Sequence, residues 1–307
     1  MTAIRNDWTL QEVQDIYNKP LLELIHEAST VHHEHNQTGE VQVCTLLSIK
    51  TGGCPEDCAY CPQAARYSTG VDVHKLLDYD AVIETAKNRD FERVLDMVKG
   101  VNDLGLEVCT TLGMVTEEQA RRLKEAGVYA YNHNIDTSDD YYNEIISTRD
   151  FNDRIDTLNN VEKAGMTVCC GGIVGMGEGH EDRTKMLHQL AIRNKHPESV
   201  PINALVPVPG TPLGDQQKVT VWEMVRMIAT ARILMPKAMV RLSAGRTDMS
   251  NEQQALCFMA GANSIFSGEK LLTTPNPDFD EDAEMFELLG LTPRKAFKEE
   301  EEENQQE

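Results

Sequence analysis

The chain has 307 residues, a formal net charge of −21 and a hydrophobic fraction of 40%. Its length allows one large α/β domain or two ordinary ones, and its acidic balance argues against nucleic acid or an anionic membrane as partner. No apolar stretch approaches the roughly 20 residues that a membrane helix needs. Eight cysteines, with no apolar secretory segment at the start, predict a reducing, cytoplasmic compartment.

A helical region is predicted first, over residues 1–40. Thr9 and Glu12 have the spacing of a helix cap, and apolar residues recur at helical spacing after Pro20. The histidines within residues 32–35 have no partnering metal motif, so we expect them to be solvated surface residues.

Residues 41–291 alternate short apolar runs with helical patterns, which predicts one domain with the fold class α/β, a (β/α)8 TIM-type barrel. The predicted strands are Cys44–Ile49, Leu106–Leu112, Tyr129–Asp136, Thr167–Val174, Val200–Val206, Val240–Ala244 and Ser264–Phe266. The predicted helices are 79–87, 90–103, 116–126, 150–164, 180–193, 219–234 and 251–260. Residues 292–307 are rich in glutamate and are predicted to be a disordered tail.

One junction does not fit this pattern. The predicted helix 79–87 runs almost directly into the predicted helix 90–103. In a sheet of parallel strands, helices alternate with strands, so a strand is expected between these two helices. Seven strands are found where such a barrel has eight. The second strand is therefore expected to be absent, and a missing unit with its loops would contain about 15–25 residues.

A loop with three closely spaced cysteines is the strongest chemical signal. Cys54, Cys58 and Cys61 have C-x3-C-x2-C spacing, so three thiolates can hold three corners of a cubane iron–sulfur cluster and leave the fourth iron open. A structural zinc site usually needs four ligands in two pairs. A disulfide framework fits poorly, because eight cysteines are sparse in a chain of this length.

Polar residues line one face of the third predicted strand. Asn132, Asn134 and Asp136 alternate along it and suit a polar ligand at the barrel mouth, where strand ends bind substrates. A surface loop with asparagine caps is the alternative. Further along, the predicted strand 167–174 breaks into glycines that let the backbone approach a ligand closely.

Other cysteines and an arginine lie on predicted strands or helices. Cys169 and Cys170 alternate faces, so only one of them can face the barrel interior. Arg241 shares a face with Ser243, and a buried arginine needs an anionic partner; an exposed or salt-bridged position is the alternative. The remaining cysteines, Cys44, Cys109 and Cys257, are each predicted to be buried apolar fillers when considered alone.

The cysteine spacing, with Tyr60 before the last cysteine, resembles that of the radical S-adenosylmethionine (SAM) enzymes. In that superfamily the open iron binds SAM, and electron transfer cleaves SAM to a 5′-deoxyadenosyl radical. Five longer segments resemble the biotin synthase family, and the resemblance runs from about residue 8 to 291. These segments are residues 46–63, 131–138, 199–206, 240–246 and 258–266.

This resemblance implies a homodimeric radical SAM barrel that inserts sulfur into dethiobiotin, the last step of biotin synthesis, with a reducing electron donor such as flavodoxin. The implied ligands of a [4Fe–4S] cluster are Cys54, Cys58 and Cys61. The implied ligands of a [2Fe–2S] cluster, the sulfur source, are Cys109, Cys169 and Arg241. The implied SAM contacts are Tyr60, Asn134, Asp136, Arg154, Gly171, Ile173, Gly175 and Glu178. The implied dethiobiotin contacts are Asn134 and Asn203.

The chain departs from the family at the irregular junction. The family has a strand there, with Arg-Phe-Cys-Met-Gly-Ala-Ala-Trp or a close relative, and its cysteine is the first ligand of the [2Fe–2S] cluster. Three interpretations stay open. The natural protein contains a segment that this sequence lacks, which the intact flanking motifs favour. A true deletion leaves a protein that binds SAM and one cluster but does not insert sulfur. Or Cys170 replaces the ligand, which strand alternation disfavours.

Overall fold

The computed structural model describes residues 3–74, 76 and 87–295, with the backbone alone for residues 87–90. The helices are α1 Leu10–Tyr17, α2 Leu21–His35, α3 Lys87–Asp103, α4 Glu117–Glu125, α5 Asp139–Ile145, α6 Phe151–Lys163, α7 His180–Ala191, α8 Val221–Leu234, α9 Asn251–Met259 and α10 Phe279–Leu289. The strands are β1 Glu40–Cys44, β2 Val108–Thr110, β3 Val128–Asn132, β4 Thr167–Cys169, β5 Gly172–Val174, β6 Ser199–Ala204, β7 Met239–Leu242, β8 Ser264–Phe266, β9 Lys270–Leu271, β10 Thr274–Pro275 and β11 Thr292–Pro293. The predicted helix 79–87, apart from its last residue, and the acidic run from residue 296 lie outside the described residues.

Local capping fixes where several helices begin. Thr9 caps α1, because its side chain accepts from the Glu12 amide at 3.3 Å while Glu12 accepts from the Thr9 amide at 2.7 Å. The same reciprocal pattern, from Thr116 and Gln119, begins α4. The helix predictions from 116 onwards are confirmed to within about three residues, an error that is ordinary for helix ends.

The main sheet consists of parallel strands in the order β11–β1–β8–β7–β6–β4–β3–β2, with β5 also paired to β6. This curled sheet of parallel strands, with helices in the connections between them, confirms the predicted TIM-like α/β class. The long predicted strand 167–174 is two short strands, because residues 170–171 leave the ladder between β4 and β5.

The first strand prediction was wrong by several residues. The apolar run predicts Cys44–Ile49, but the strand is Glu40–Cys44, paired with β8 so that Gln42 lies beside Ser264 and Cys44 beside Phe266. Apolar character does not decide which residues find a partner strand, and Leu47 in the predicted strand is 73% exposed. The new register puts Gln42 and Cys44 on the same face.

Among the described residues, no strand joins β1 to β2. Neither residues 45–74 nor residues 87–107 contain a strand, and the described part of the chain shows no pairing of β1 with β2. The first two residues of β1 pair on this side with β11, where Thr292 donates to Gly39 at 2.8 Å. A short C-terminal strand thus covers part of an edge that would otherwise be exposed.

The core lies between the sheet and its helices, and α2 packs against α8. His32 on α2 is only 8% exposed, so the expectation that residues 32–35 are all solvated was wrong for this residue. Burial, with smaller contributions from Arg232 and His33, lowers the pKa of His32 to about 3. Of the helices described, none has both the length and the apolar character to cross a membrane.

Replacing His32 with glutamine is expected to flatten the acid dependence of stability. Below its ordinary pKa of 6.5, the unfolded chain binds a proton that the folded chain excludes until about pH 3. The free energy of unfolding therefore falls as pH falls through this window, by up to about 1.4 kcal/mol per pH unit, and His32→Gln removes that contribution. Denaturant unfolding of the metal-free chain measures it. His26→Gln, at an exposed position of the same helix, is the control and should keep the wild-type slope.

Candidate active site

The loop with Cys54, Cys58 and Cys61 is held in shape by its own backbone. The Cys54 amide donates to the Gln63 carbonyl at 2.9 Å, and the Ala65 amide donates to the Cys54 carbonyl at 2.8 Å. A turn within the loop closes where the Cys61 amide donates to the Cys58 carbonyl at 2.9 Å. These bonds fix the backbone from which all three thiols project.

Acidic residues inside the motif anchor this loop to the end of α5. Asp57 Oδ1 accepts from the Ser147 amide at 2.9 Å and from the Thr148 amide at 3.1 Å, and Glu56 accepts from Arg149 Nε at 2.8 Å. Desolvation opposes ionisation, but the hydrogen bonds from Ser147 and Thr148 hold the pKa of Asp57 well below its usual range. Asp57 therefore stays ionised and positions the loop.

The cysteine loop covers a small apolar cluster. Cys58 is 8% exposed, and Cys61 and Ile173 pack against the same cluster from partly buried positions. The other buried members are Ala59, Tyr142, Ile145, Ile146, Met176 and Leu205. Burial, then the nearby Asp136, raises the pKa of the Cys58 thiol to about 12, so this cysteine is a neutral thiol until metal binding removes its proton.

No three His, Cys, Asp or Glu side chains converge on a position for one metal ion within residues 3–74, 76 and 87–295. A cubane cluster has another requirement, because each thiolate binds a different iron and the thiols must surround a volume. Cys54, Cys58 and Cys61 lie close enough to influence one another electrostatically, and this grouping fits such a cluster.

A buried ion pair lies next to the cysteine loop. Arg154 Nη2 is 2.9 Å from Asp136 Oδ2, and Arg154 Nε donates to the Tyr142 hydroxyl at 2.8 Å. Asp136 is 2% exposed and has a positive φ of 67°, and Tyr60 lies close enough to its side chain to lower its pKa. Desolvation raises the pKa of Asp136 more than Arg154 lowers it.

Asn134 joins the end of β3 to the glycine segment. Its Oδ1 accepts from the Gly171 amide at 3.1 Å, and its carbonyl accepts from Arg154 Nη1 at 3.3 Å. Asp136 and Gly172 then form an isolated parallel bridge beyond the end of β3. Asn134, Asp136, Arg154 and Gly171, predicted from separate segments, therefore lie together.

Glu178 shapes its own turn. Its carboxylate accepts from the Gly175 amide at 2.8 Å, from the Met176 amide at 2.7 Å and from Arg183 Nε at 2.7 Å. Gly175 has a φ of 101°, which favours glycine, and Glu178 is 8% exposed. The structure thus places Glu178 where it holds the glycine turn from inside.

Replacing Gly171 with alanine is expected to destabilise the fold. A Cβ there would lie 1.9 Å from the Pro201 carbonyl oxygen, a backbone atom that cannot move alone. We expect a loss of about 3 kcal/mol or more in the free energy of unfolding, measured by denaturant titration. Gly100→Ala in α3 is the control, because a Cβ there meets nothing within 4 Å and alanine favours a helix. Equal stability of the two variants would contradict the close approach.

Arg241 lies at the centre of a second polar group inside the sheet and is 5% exposed. Its Nε donates to Ser264 Oγ at 2.8 Å, and its Nη2 donates to Gln42 Oε1 at 3.0 Å. The two ends of its guanidinium reach sulfur, with Nη2 3.3 Å from Cys44 Sγ and Nη1 3.7 Å from Cys169 Sγ. The prediction that this arginine is buried and faces the interior is confirmed.

Cys109 completes this group from β2. Its side chain is exposed to solvent, yet desolvation, then Cys169, raises the pKa of its thiol. Both observations hold for a side chain that has many protein neighbours but keeps a solvent-accessible surface. Arg241 and Cys44 also influence this thiol electrostatically, so four groups from β1, β2, β4 and β7 share one region.

The cysteine loop and the Arg241 group lie at different levels along the strands. Cys169 pairs with Asn132, while Gly172 pairs with Asp136, three residues further on and thus about 10 Å along the chain. Asn203 lies near the upper level, where its Nδ2 donates to the Gly172 carbonyl at 3.0 Å and its Oδ1 accepts from the Ala244 amide at 3.3 Å. Asn203 and Asn134 therefore lie further along the strands than Cys169, on the side of Gly172 and Asp136.

Sequence reasoning missed several residues of this region. Cys44 was predicted to be a core filler, and Gln42 was not considered, because the first strand was placed too late in the chain. Valine alternates with Gln42 and Cys44 over residues 41–44, and this alternation could have identified the face that Gln42 and Cys44 share. Tyr142, the partner of Arg154, has no distinctive signal in the sequence.

A family model indicates the class of protein, and solved structures show the same fold. Residues 68–190 match the Radical SAM superfamily, and residues 201–292 match the Biotin and Thiamin Synthesis associated domain. Methylornithine synthase (PylB) has a similar fold, with a TM-score of 0.78 at 18% identity over 94% of both chains. The hydrogenase maturase HydG also has a TM-score of 0.78, at 16% identity over 93% of this chain and 72% of that one. The chain is a radical SAM enzyme.

Curated relatives narrow this class. Biotin synthase of Cytophaga hutchinsonii is 60% identical, covering 97% of this chain and 95% of the relative. Mitochondrial biotin synthase of Arabidopsis thaliana is 55% identical, covering 94% of this chain and 82% of the relative. The chain belongs to the biotin synthase family, whose members are radical SAM enzymes that insert sulfur.

The alignments with both relatives are longer than this chain. The alignment with the Cytophaga hutchinsonii relative extends over 319 residues, which is longer than the entire chain of 307. That with the Arabidopsis thaliana relative extends over 312. Both relatives therefore contain residues that have no counterpart in this chain.

Proposed function

We propose that this chain converts dethiobiotin to biotin by inserting sulfur between two carbon atoms of the substrate. The observation that carries the proposal is the presence of two cysteine clusters, the loop at Cys54, Cys58 and Cys61 and the group around Arg241. Membership of the biotin synthase family supports the same reaction.

The cysteine chemistry supports two iron–sulfur clusters of different type. Cys54, Cys58 and Cys61 would hold a [4Fe–4S] cluster that leaves one iron for SAM, and Cys109, Cys169 and Arg241 would contribute ligands to a [2Fe–2S] cluster. When bound, these groups and SAM supply a carbon-centred radical and the sulfur atom, while the protein supplies orientation and a shielded site.

The buried ion pair has the chemistry to bind the charged end of SAM. Asp136 Oδ2 is buried and accepts no hydrogen bond from the described residues, although Arg154 lies beside it. A ligand ammonium group would satisfy this oxygen. Tyr60 and Arg154 would hold the Asp136 carboxylate in place, and Asn134 would present its remaining amide hydrogens to the ligand.

The glycine segment has the shape to receive a flat base. Gly171 and Gly172 bring the backbone close to its neighbours, and Ile173 packs on the apolar cluster beneath the cysteine loop. An adenine ring between Ile173 and the Gly175 turn would be removed from water. In this arrangement Glu178 acts by holding the turn, and only its indirect effect on SAM is expected.

Asn203 and Asn134 suit a substrate rich in amide groups. Both side chains already form hydrogen bonds with backbone groups, which fixes their orientation. The unused donors and lone pairs of these amides would bind the cyclic urea of dethiobiotin.

Further properties follow from the same proposal. We expect a homodimer, reduced by a small electron carrier such as flavodoxin, in the cytoplasm, where the eight free cysteines would stay reduced. Within the described residues, α1 and α2 support a helical region over 1–40, and the strands and helices that follow support a barrel over 41–291. The predicted disordered tail 292–307 begins inside β11, so the expected disorder was wrong for Thr292 and Pro293. Size-exclusion chromatography with light scattering tests the dimer.

The decisive experiment is an anaerobic assay with dethiobiotin, SAM and a reductant. Chain loaded with both clusters should form biotin together with methionine and 5′-deoxyadenosine. Absence of biotin from fully loaded protein would reject the proposal.

A second candidate is a protein that cleaves SAM but inserts no sulfur. The lack of pairing between β1 and β2 in the described residues and the longer alignments favour it, because the relatives contain residues that have no counterpart here. It predicts one cubane cluster per chain and no biotin. The mass of the natural protein is also informative, since a value above 34.4 kDa by one strand unit would show a segment beyond this sequence.

A further inference from the structure

We propose that Cys44 is the third cysteine ligand of the [2Fe–2S] cluster in this chain, together with Cys109, Cys169 and Arg241. This inference rests on the proposed function and deepens it by naming the ligand that the sequence lacks. A two-iron cluster needs four protein ligands, and Cys109, Cys169 and Arg241 supply three.

Contacts of Arg241 place Cys44 in this group. The guanidinium Nη2 lies 3.3 Å from Cys44 Sγ, closer than Nη1 lies to Cys169 Sγ at 3.7 Å. Arg241 is fixed on its other sides by Ser264, at 2.8 Å, and by the ring of Phe266, 4.5 Å from the guanidinium carbon. Cys44 is therefore held beside two of the expected ligands before any iron binds.

Register supports the same placement. Gln42 and Cys44 lie on one face of β1, and Gln42 Oε1 accepts from both Arg241 and Ser264, at 3.0 Å each. The face that carries Cys44 is thus the face that lines the Arg241 group. Neighbouring strands lie only about 4.8 Å apart, so a ligand on β1 lies one strand spacing from the position that a strand between β1 and β2 would take.

The other cysteines are excluded by their positions. All eight cysteines of the chain lie in the described residues, and three belong to the loop at 54–61. Cys170 is fully buried in the hydrophobic core, so the proposed replacement by Cys170 finds no support. Cys257 is fully buried on α9. Cys44 alone remains beside Cys109 and Cys169.

The charge of the group also calls for a third thiolate. Arg241 is buried, and within the described residues it forms no ion pair with a carboxylate. Each cysteine that binds iron forms one Fe–S bond and releases its thiol proton to solvent. Two ferric ions, two bridging sulfides and three thiolates together would carry a single net negative charge, which offsets the charge of a buried guanidinium, whereas with two thiolates the cluster would be neutral.

Iron binding by matched variants of the full chain tests this assignment. Wild type, Cys44→Ala and Cys170→Ala are reconstituted anaerobically with 57Fe and sulfide, and iron and sulfide are counted before Mössbauer spectroscopy. We expect about six irons per chain for wild type and Cys170→Ala, and about four for Cys44→Ala, with loss of the two-iron signal. Thermal unfolding of the metal-free variants checks that each one folds.

A second measurement needs no variant. Cys44 is partly accessible in the metal-free chain, so iodoacetamide should modify it, whereas reconstituted wild type should protect it at least tenfold, as judged by mass spectrometry of peptides. Any one of three results would overturn the inference. These are a wild type that holds one cubane cluster only, a two-iron signal that persists in Cys44→Ala, and alkylation of Cys44 that is equal with and without iron. None of these readouts depends on turnover, so failure of biotin formation by a chain with both clusters would reject the proposed reaction and leave the ligand assignment intact.

Discussion

Replacing Cys58 with alanine is expected to lower the rates of SAM cleavage and biotin formation by more than about 1,000-fold. The three cysteines act as one unit, so loss of one of them removes most of the activity. Cys58 is the most buried thiol of the loop, and its side chain lies against the apolar cluster next to Asp136 and Arg154. Without it, one corner of the cubane has no thiolate, and the iron that should bind SAM is not held in a fixed position.

Cys257→Ala is the matched control for this variant, since Cys257 on α9 is fully buried in equally apolar surroundings. Both substitutions remove one small buried group and should cost about 1 kcal/mol of stability. Iron counting and chromatography of 5′-deoxyadenosine separate the two variants. Cubane iron and SAM cleavage at the wild-type level in Cys58→Ala would be incompatible with the loop as the cluster site.

Replacing Asp136 with asparagine is expected to destabilise the chain by about 3–5 kcal/mol and to weaken SAM binding, because it leaves the Arg154 guanidinium buried without its carboxylate. Asparagine has nearly the shape of aspartate and tolerates the positive φ of this position, so the change tests charge and not backbone strain. Denaturant unfolding and equilibrium binding of SAM to the reconstituted protein provide the two measurements.

The exposed pair of Asp140 and Lys185 supplies the control for this prediction. Asp140→Asn removes one carboxylate from a solvated ion pair and should change stability by less than about 1 kcal/mol. Adding Arg154→Met to Asp136→Asn should restore part of the lost stability, because the uncompensated charge is then gone, while SAM binding stays weak. If Asp136→Asn and Asp140→Asn were equally stable, the buried pair would not have the role given to it here.

Regular alternation in the sequence predicted the class of fold and most helices. Capping residues such as Thr9 and Thr116 satisfy backbone groups only a few residues away, so their helix starts can be predicted locally. The helices α5 and α10 were missed even though Ser138 and Asp278 cap them in the same way. Their short or acidic patterns resemble loops when periodicity alone is considered.

Strand positions were predicted less well, because a strand is defined by its neighbour. The apolar run after Cys44 has the composition of a strand, yet β8 pairs with the residues before it. That shift of four residues decided whether Gln42 and Cys44 counted as part of the site. In the same way, the two short strands β4 and β5 depend on Asn134 and Asp136, which hold the Gly171–Gly172 segment between them.

By itself, the sequence determined the three-cysteine loop and the acidic character of the chain, and it predicted that a strand unit is missing ahead of residue 90. Each of these depends on spacing along the chain or on composition, which need no knowledge of distant contacts. Only the tertiary structure decided that Cys44 and Cys169 flank one guanidinium, since these residues lie on different strands far apart in sequence. Parallel strands bring such residues together at a register set by backbone pairing, and backbone pairing is a property of the folded sheet.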